Sequence, residues 1–436
     1  MKKNVSVLIL AAGKSTRMKS KKSKVLLHIA NKPMILHIID TCKNAGIENI
    51  SVVLNNDSRE IQDILPPNID IIIQKEQLGT AHAILTSEKK HKKNLKNLLI
   101  LYGDVPLLSK KTILKILERT AKGKPHMLAF ESTNPKGYGR LITNKNIISK
   151  VVEEKNANNN EKNIKLCNSG ILCAKTDFLF TLLKRIKKNN KTKEFLLTDI
   201  FEISYKLNYP FNFLIAKEHE VLGVNNRKQL AFVENLYQNM LRDRFMKNGV
   251  TLVSPETTFF SYDTRISNDV KIGPNNYFGK GVIIKSDVII NNNCSVEETH
   301  IDNSTILGPF CRLRNGNRIG KNVKIGNFVE IKKSKIGNFS KINHLSYIGD
   351  SEIGSNSNIG AGTITCNYDG QNKNKTFIGN NVFIGSNCSI VAPIDIKSGS
   401  FVAAGSTITK NLEKFDFSIG RARQKIFKNG SKKYLK

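Results

Sequence analysis

The chain has 436 residues, 39% of them hydrophobic, and a formal net charge of +33. That length exceeds one ordinary domain, so two or more are expected, each with enough apolar residues for a core. No run reaches the ~18 apolar residues of a bilayer span, and seven scattered cysteines without CxxC spacing read as reduced thiols rather than a disulfide framework or a zinc site.

Met1-Lys2-Lys3 runs directly into Val5–Leu10, too short an apolar stretch for a secretory signal and right for a strand, so a soluble cytoplasmic protein is expected. Ile50–Leu54, Ile69–Ile73, Leu98–Tyr102 and His126–Phe130 also read as strands. Lys32–Lys43 and Lys111–Lys122 read as amphipathic helices. Such alternation predicts a Rossmann-like α/β head with a mostly parallel sheet over residues 1–227, its ligand beyond the carboxyl ends of the strands. Asn226–Asn248 lacks Pro and Gly, carries apolar residues at helical spacing and is followed by Gly249 as a C-cap, which predicts a helical linker over 228–248.

From Ile266 an apolar residue returns every sixth position: Ile272, Phe278, Ile284, Ile290, Val296. After slips of one residue the phase resumes at Ile301, at Ile336 and at Ile353, and the series returns from Ile378 to Ile408. Neither a helix nor a flat strand has a period of six. A triangular parallel β-helix does, with the aliphatic residue pointing inward on each side, and residues 249–436 are assigned to it. Cys366–Thr376 breaks the period and must leave the solenoid as a loop. The slips and this loop are where catalytic residues are expected to gather. From Arg421 on, the tail is Lys-rich and is expected to be loosely ordered.

The charge invites a nucleic-acid reading. Lys is spread along the whole chain, however, and no nucleic-acid motif is present, so we read the charge as compositional bias that also attracts anionic phosphate substrates.

Three features carry chemistry. Leu10-Ala11-Ala12-Gly13-Lys14-Ser15-Thr16-Arg17-Met18 is a small-residue turn with cations directly after a strand, suited to a triphosphate although a plain βα turn would look the same. Asp104 follows the strand Leu98–Tyr102, where one carboxylate can hold Mg²⁺ or cap a turn. His344, in Asn343-His344-Leu345-Ser346-Tyr347, lies just past the hexad residue Ile342, so it is not an inward core residue. Histidine suits proton transfer near neutral pH, though an isolated one is more often structural.

The first turn resembles the LxxGxGTxM…PK signature of sugar-1-phosphate nucleotidyltransferases, with Lys24 as its lysine, Ser15 where a second Gly is usual and Ser23 where Pro is usual. Gln74–Ala83, Tyr102–Leu107, Gly137–Arg140, Val152-Glu153, Asn168–Ile171 and Gly223–Arg227 extend the match in order. Together with the hexads, the chain resembles the bifunctional UDP-N-acetylglucosamine pyrophosphorylase/glucosamine-1-phosphate N-acetyltransferases over residues 1 to about 425. The resemblance implies a left-handed parallel β-helix of hexapeptide repeats that acetylates glucosamine-1-phosphate from acetyl-CoA. It implies a head that then joins the product to UTP with Mg²⁺, giving UDP-N-acetylglucosamine for peptidoglycan synthesis.

By matching position, the resemblance assigns Lys24 and Arg17 to phosphate charge. It assigns Leu10, Ala11, Ala12, Gly13, Gln74, Gly79, Thr80, Tyr102 and Gly103 to the uridine nucleotide, Gly139, Glu153, Asn168 and Asn225 to the sugar, and Asp104 with Asn225 to the metal. In the β-helix it assigns His344 as the base. Arg314, Lys332, Tyr347, Asn358 and Asn367 go to glucosamine-1-phosphate, and Ala361, Asn367, Tyr368, Ser386, Ala404 and Arg421 to acetyl-CoA. Asn315 stands where Pro is usual, and Asn343 where a small residue is. A homotrimer with the transferase site shared between subunits is implied as well. Two other readings compete: a nucleotidyltransferase whose β-helix only oligomerises, and a basic nucleic-acid-binding scaffold, which accounts for the charge and none of the motifs.

Overall fold

The computed structural model describes residues 5–13, 15–91, 97–189 and 193–434; Lys14 of the first turn lies outside them. The chain divides into two compact units, Met1–Tyr237 and Gln238–Lys436.

In the first unit the strands of the main sheet are β1 (Val5–Leu10), β2 (Asn49–Leu54), β3 (Asp70–Ile73), β4 (Asn97–Tyr102), β5 (His126–Glu131), β6 (Arg140–Asn144), β7 (Ile147–Val152), β8 (Leu166–Lys175) and β9 (Asn212–Ile215). They form one sheet in the order β3-β2-β1-β4-β8-β5-β9-β7-β6. β8 runs against β4 and β5, and β7 against β9 and β6; the other strands share one direction, so the sheet is mostly parallel as expected. The reversal through β8 and the β6–β7 hairpin carry no strong run of aliphatic residues, and the sequence reading missed them.

Helices α1 (Met34–Asn44), α2 (Thr80–Leu85) and α3 (Lys110–Ala121) connect the parallel strands. β1 is buried on both faces, as a central parallel strand must be. Val7 and Ile9 enter one core with Val52, Leu99 and Leu101, while Leu8 and Leu10 enter the other with Val53, Leu98 and Ile100.

Three histidines of this unit are buried, His37, His91 and His126, and the first two are shifted furthest. His37 on α1 donates from Nε2 to the Ile29 carbonyl at 2.9 Å, and His91 Nδ1 lies 3.0 Å from the Ser6 hydroxyl. Burial pushes each down to about 4. Between about pH 6.5 and about pH 4 the unfolded chain therefore binds protons that the folded unit refuses, so stability falls as pH drops through that window, by at most about 3 kcal/mol per histidine. Urea unfolding from about pH 7 to about pH 4.5 should show the loss, and His91→Gln should flatten it.

Helix α4 (Arg227–Lys247) covers most of the stretch read as a helical linker, 228–248, and the boundary between the units, Tyr237/Gln238, falls within it. Val233 packs with Met18, Ile29 and Met34 in the first unit, whereas Phe245 packs on Phe260 at 4.8 Å in the second.

The second unit is the left-handed hexad β-helix, with three parallel sheets as its sides. On the first side Ile272, Ile290, Leu307, Ile325, Ile342, Ile359, Ile384 and Val402 stack inward in register. The partner of Ile272 is Ile290, eighteen residues on, and that of Ile290 is Leu307, seventeen on; the one-residue slips are coils one residue short. Each slip falls at the same corner, between the second and third sides: Val296 to Ile301, Ile331 to Ile336 and Ile348 to Ile353. The loop Cys366–Thr376 leaves from that corner too. After Ile359 the inward place passes to Thr365, whose buried hydroxyl accepts the Gly349 N–H at 2.8 Å. Among its described residues the tail beyond Arg421 is exposed except at Gly430, and its one regular element is a 3₁₀ turn at Gly430–Lys433.

Two candidate active sites

The first site is a cleft of about 670 Å³ at the carboxyl ends of the parallel strands. Leu10 is in register with Tyr102, so the turns after β1 and β4 lie side by side, tied by the Gly103 N–H donating to the Leu10 carbonyl at 3.0 Å. A Cβ on Gly103 would come within 3.2 Å of the Val25 side chain, a tight approach that the valine would have to yield to. Gln74, directly after β3, is buried and donates to the Gly79 carbonyl at 3.3 Å. Gly79, at φ +100, caps α2 where a Cβ would strike the Phe195 carbonyl at 2.7 Å. Thr80 is the first residue of α2 and borders the cleft.

Four polar side chains converge there. Lys24 Nζ donates to Asp104 Oδ2 and, at 2.8 Å, to Asn225 Oδ1, which also accepts from Arg17 at 2.9 Å. Asn225 is brought in because the Val224 N–H donates to the Asp104 carbonyl at 2.9 Å. Two oxygen donors thus face one position, and cationic nitrogens are their partners. This suits a magnesium ion that takes few protein ligands and fills its shell with phosphates and water.

Both departures from the signature have a local explanation. Ser15 adopts φ +56, the left-handed conformation a glycine would take, and its hydroxyl accepts the Lys24 N–H at 3.0 Å. The side chain thus fastens the backbone of the signature lysine. Ser23 has φ −59, the value a proline ring would impose. Asn315 differs: at φ +61 its backbone is one no proline could adopt.

Of the residues assigned to the head, Leu10, Ala11, Ala12, Gly13, Arg17, Lys24, Gln74, Gly79, Thr80, Tyr102, Asp104, Asn168 and Asn225 border the cleft. Gly103, Gly139 and Glu153 stand behind that border. The Gly139 carbonyl accepts from the Asn168 N–H at 2.9 Å. Burial, with Asp104 and Glu153 nearby, holds the Tyr102 phenol above its ordinary value. A Cβ on Gly170 would meet that ring at 2.7 Å. The sequence reading assigned no role to Gln77, which donates to the Ala12 carbonyl at 2.7 Å, or to Glu194, which also borders the cleft. Gln77 stood inside a quoted motif; Glu194 gave no signal.

The second site lies on the β-helix, at the corner between the first and second sides. His344 is exposed there and in register with Asn327. Its Nδ1 is 2.7 Å from Asn327 Oδ1. An amide oxygen only accepts, so Nδ1 is the donor, and in the neutral imidazole that tautomer leaves the lone pair on Nε2. Ala361, Ser386 and Ala404 follow on successive coils of the same corner, and the Gly405 Cβ position is 3.8 Å from the Arg421 side chain. The sequence reading named these residues singly; the fold sets them in one column.

The adjoining side gathers the cations. Arg314 pairs with Lys332 in the ladder and donates from Nε to Glu330 at 2.6 Å. Lys332 and Asp350, 9% and 11% exposed, lie 3.8 Å apart, and Asn367 donates to Asp350 at 2.5 Å. Lys373, from the loop, holds the Lys332 amine below its ordinary value because two like charges meet. Tyr347 lies over Gly349, where a Cβ would clash with its ring. Asn358 sits on the first side between Lys341 and Phe383, and Asn367 stands with Lys332 rather than in the His344 column. Tyr368 is exposed on the loop. Asn327, Asp350 and Lys373 were not picked out from sequence, since each acts through a partner on another coil.

The expectation that catalytic candidates gather at the slips and the loop is therefore half corrected. Lys332, Asp350, Asn367 and Lys373 lie at that corner. The His344 column occupies a regular corner, where glycine or alanine precedes most of its members.

Residues 7–159 match the MobA-like NTP transferase domain family, and residues 375–410 match the bacterial transferase hexapeptide repeat. Bifunctional protein GlmU of Zymomonas mobilis is 44% identical over 97% of this chain and 95% of its own length. The proteins of the same name from Agrobacterium fabrum and Bartonella bacilliformis are 41% and 42% identical, each over 98% of this chain and 95% and 96% of their own. With a nucleotidyltransferase head and a hexad β-helix matched at this identity over nearly its whole length, the chain belongs to the bifunctional GlmU family.

Proposed function

We propose that the two activities of this bifunctional transferase reside at the two constellations just described, one on each unit. The chain is an N-acetylglucosamine-1-phosphate uridylyltransferase and a glucosamine-1-phosphate N-acetyltransferase, with nucleotide and acetyl-CoA as substrates. The observation that carries the assignment is that most of the head residues, scattered in sequence, border one cleft, while those of the β-helix fall into a column through His344 and a cluster of cations on the adjoining side.

In the β-helix, the amine of glucosamine-1-phosphate attacks the acetyl carbonyl. The C–N bond forms, His344 Nε2 takes the amine proton, and the C–S bond breaks to release CoA. Arg314 and Lys332 hold the sugar phosphate, with Tyr347, Asn358 and Asn367 around the sugar. Acetyl-CoA lies along Ala361, Ser386, Ala404 and Arg421, where small side chains leave room for a long, thin ligand, with Asn367 and Tyr368 on its flank.

In the head, a phosphate oxygen of N-acetylglucosamine-1-phosphate attacks the α-phosphorus of UTP and pyrophosphate leaves. Positioning and charge neutralisation carry such a step. Lys24 and Arg17 face the phosphates, and Leu10–Gly13, Gln74, Gly79, Thr80, Tyr102 and Gly103 hold the nucleotide. Gly139, Glu153, Asn168 and Asn225 hold the sugar. Asp104 and Asn225 would ligate Mg²⁺, which supplies further neutralisation when bound.

The second unit is proposed to assemble as a homotrimer in the cytoplasm. Phe310, Phe328 and Leu345 are 47%, 56% and 62% exposed at left-handed corners, an apolar ridge suited to a second copy. No helix among the described residues is long and apolar enough to cross a membrane.

Purified protein given glucosamine-1-phosphate, acetyl-CoA, UTP and Mg²⁺ should release both free CoA thiol and pyrophosphate, and should sediment as three chains. Pyrophosphate from N-acetylglucosamine-1-phosphate without any thiol release would reduce the β-helix to an assembly module. Absence of both products would overturn the assignment.

A further inference from the structure

Arg140 is the largest fully buried side chain among the described residues, at 1% exposure, and no step above uses it. It opens β6, one residue after Gly139. Its guanidinium donates to the Tyr138 carbonyl, to Glu154 Oε2 at 2.7 Å and to the Lys162 carbonyl at 3.4 Å, while its Nε is buried without a hydrogen-bond partner.

Glu154 follows Glu153 at the end of the β6–β7 hairpin, and Arg140 holds its carboxyl below the usual carboxylate range. Arg140 also pairs across the sheet with Cys167, beside Asn168. Apart from Lys162, the residues that Arg140 grips or pairs with are sequence neighbours of ones assigned to the sugar: Tyr138 beside Gly139, Glu154 beside Glu153, Cys167 beside Asn168. Burying a guanidinium with one donor unmet is costly, and an apolar residue would fill the space more cheaply. What the arginine offers instead is a planar fork that fixes three backbone segments relative to one another.

We infer that Arg140, locked to Glu154, is a positioning residue for the sugar side of the nucleotidyltransferase cleft. It sets the separation of Gly139, Glu153 and Asn168 and leaves the nucleotide side alone. The inference rests on the assignment of those three residues to the sugar. The nucleotide side, formed by the turns after β1, β3 and β4, makes none of the guanidinium's recorded hydrogen bonds.

The test is steady-state uridylyl transfer by Arg140→Lys, which keeps the charge and loses the fork, and by Glu154→Gln, whose side chain is 30% exposed and whose replacement leaves the core intact. Each is expected to raise the KM for N-acetylglucosamine-1-phosphate about tenfold or more, the scale of a small misplacement at a binding site. The KM for UTP and acetyl transfer by the second unit should stay unchanged. A sugar-phosphate KM unaltered in both variants, or a KM for UTP that rises in step with it, would overturn the inference, the second outcome marking a purely structural arginine. Glu153→Ala separates the two levels. If it leaves the sugar-phosphate KM untouched, the sugar assignment itself fails. If it raises that KM while the Arg140 and Glu154 variants do not, only the positioning role fails.

Discussion

Replacing His344 by alanine is expected to slow acetyl transfer by about 10²–10⁴-fold, the usual contribution of a positioned general base, while uridylyl transfer by the same preparation stays unchanged. The reason is geometric. His344 is exposed at a corner of the solenoid, clear of the Ile342 stack, so alanine removes the lone pair at Nε2 and no core contact. Asn327 gives a second arm: it holds the Nδ1 proton at 2.7 Å, so Asn327→Ala should cost less than His344→Ala and act on turnover more than on KM, through the tautomer. Thiol release and pyrophosphate release, measured in parallel, check both variants. Equal loss of the two activities in His344→Ala would mean a folding role instead.

Asp104→Asn should have the converse effect. It keeps the side-chain shape but removes the one carboxylate of the Lys24–Asp104–Asn225–Arg17 group. Uridylyl transfer is expected to fall by about 10²-fold or more, the scale seen when charge stabilisation is removed from a transferring phosphoryl group. Half-saturation by Mg²⁺ should shift to higher concentration, and acetyl transfer should be unaffected. Because Asp104 follows β4 in a turn already fixed by the Gly103–Leu10 and Val224–Asp104 backbone bonds, the fold does not need the charge. An unchanged Mg²⁺ requirement would remove Asp104 from the metal site.

How much of this was legible in the sequence depends on how locally each feature is encoded. Inward residues of the β-helix repeat along the chain, so Ile266 to Ile408 could be read without structure, and each slip proved to be a coil one residue short. Thr365 escaped because it keeps the phase but is polar, stabilised by a hydrogen bond from the preceding coil rather than by apolar burial. The strands β1, β2, β4 and β5 were legible because parallel strands buried on both faces are continuous aliphatic runs, and the exposed edge strand β3 because it is a run of isoleucines. The reversed β8 and the β6–β7 hairpin were not, being half-exposed and irregular in pattern.

In the sites, residues that belong to a motif were found; those that act on a motif residue from elsewhere were not. Asn327 lies seventeen residues before His344 and shows its part only when one coil sits on the next. Ser15 looked like a defect in the signature. Its φ of +56 and its bond to the Lys24 amide make it a substitute for the glycine that also ties down the lysine.

The His344 column has a metric consequence. From His344 through Ala361, Ser386 and Ala404 to Arg421 there are four coil-to-coil steps, each fixed by the strand spacing at ~4.8 Å, so the two ends stand roughly 19 Å apart. Side-chain changes cannot alter that span; only whole coils can, in increments of about 5 Å. The solenoid therefore acts as a ruler graduated in coils. A ligand read at both ends is selected by length as well as by chemistry, and adding or removing one turn between Ala361 and Arg421 would re-tune the length it accepts without touching either end.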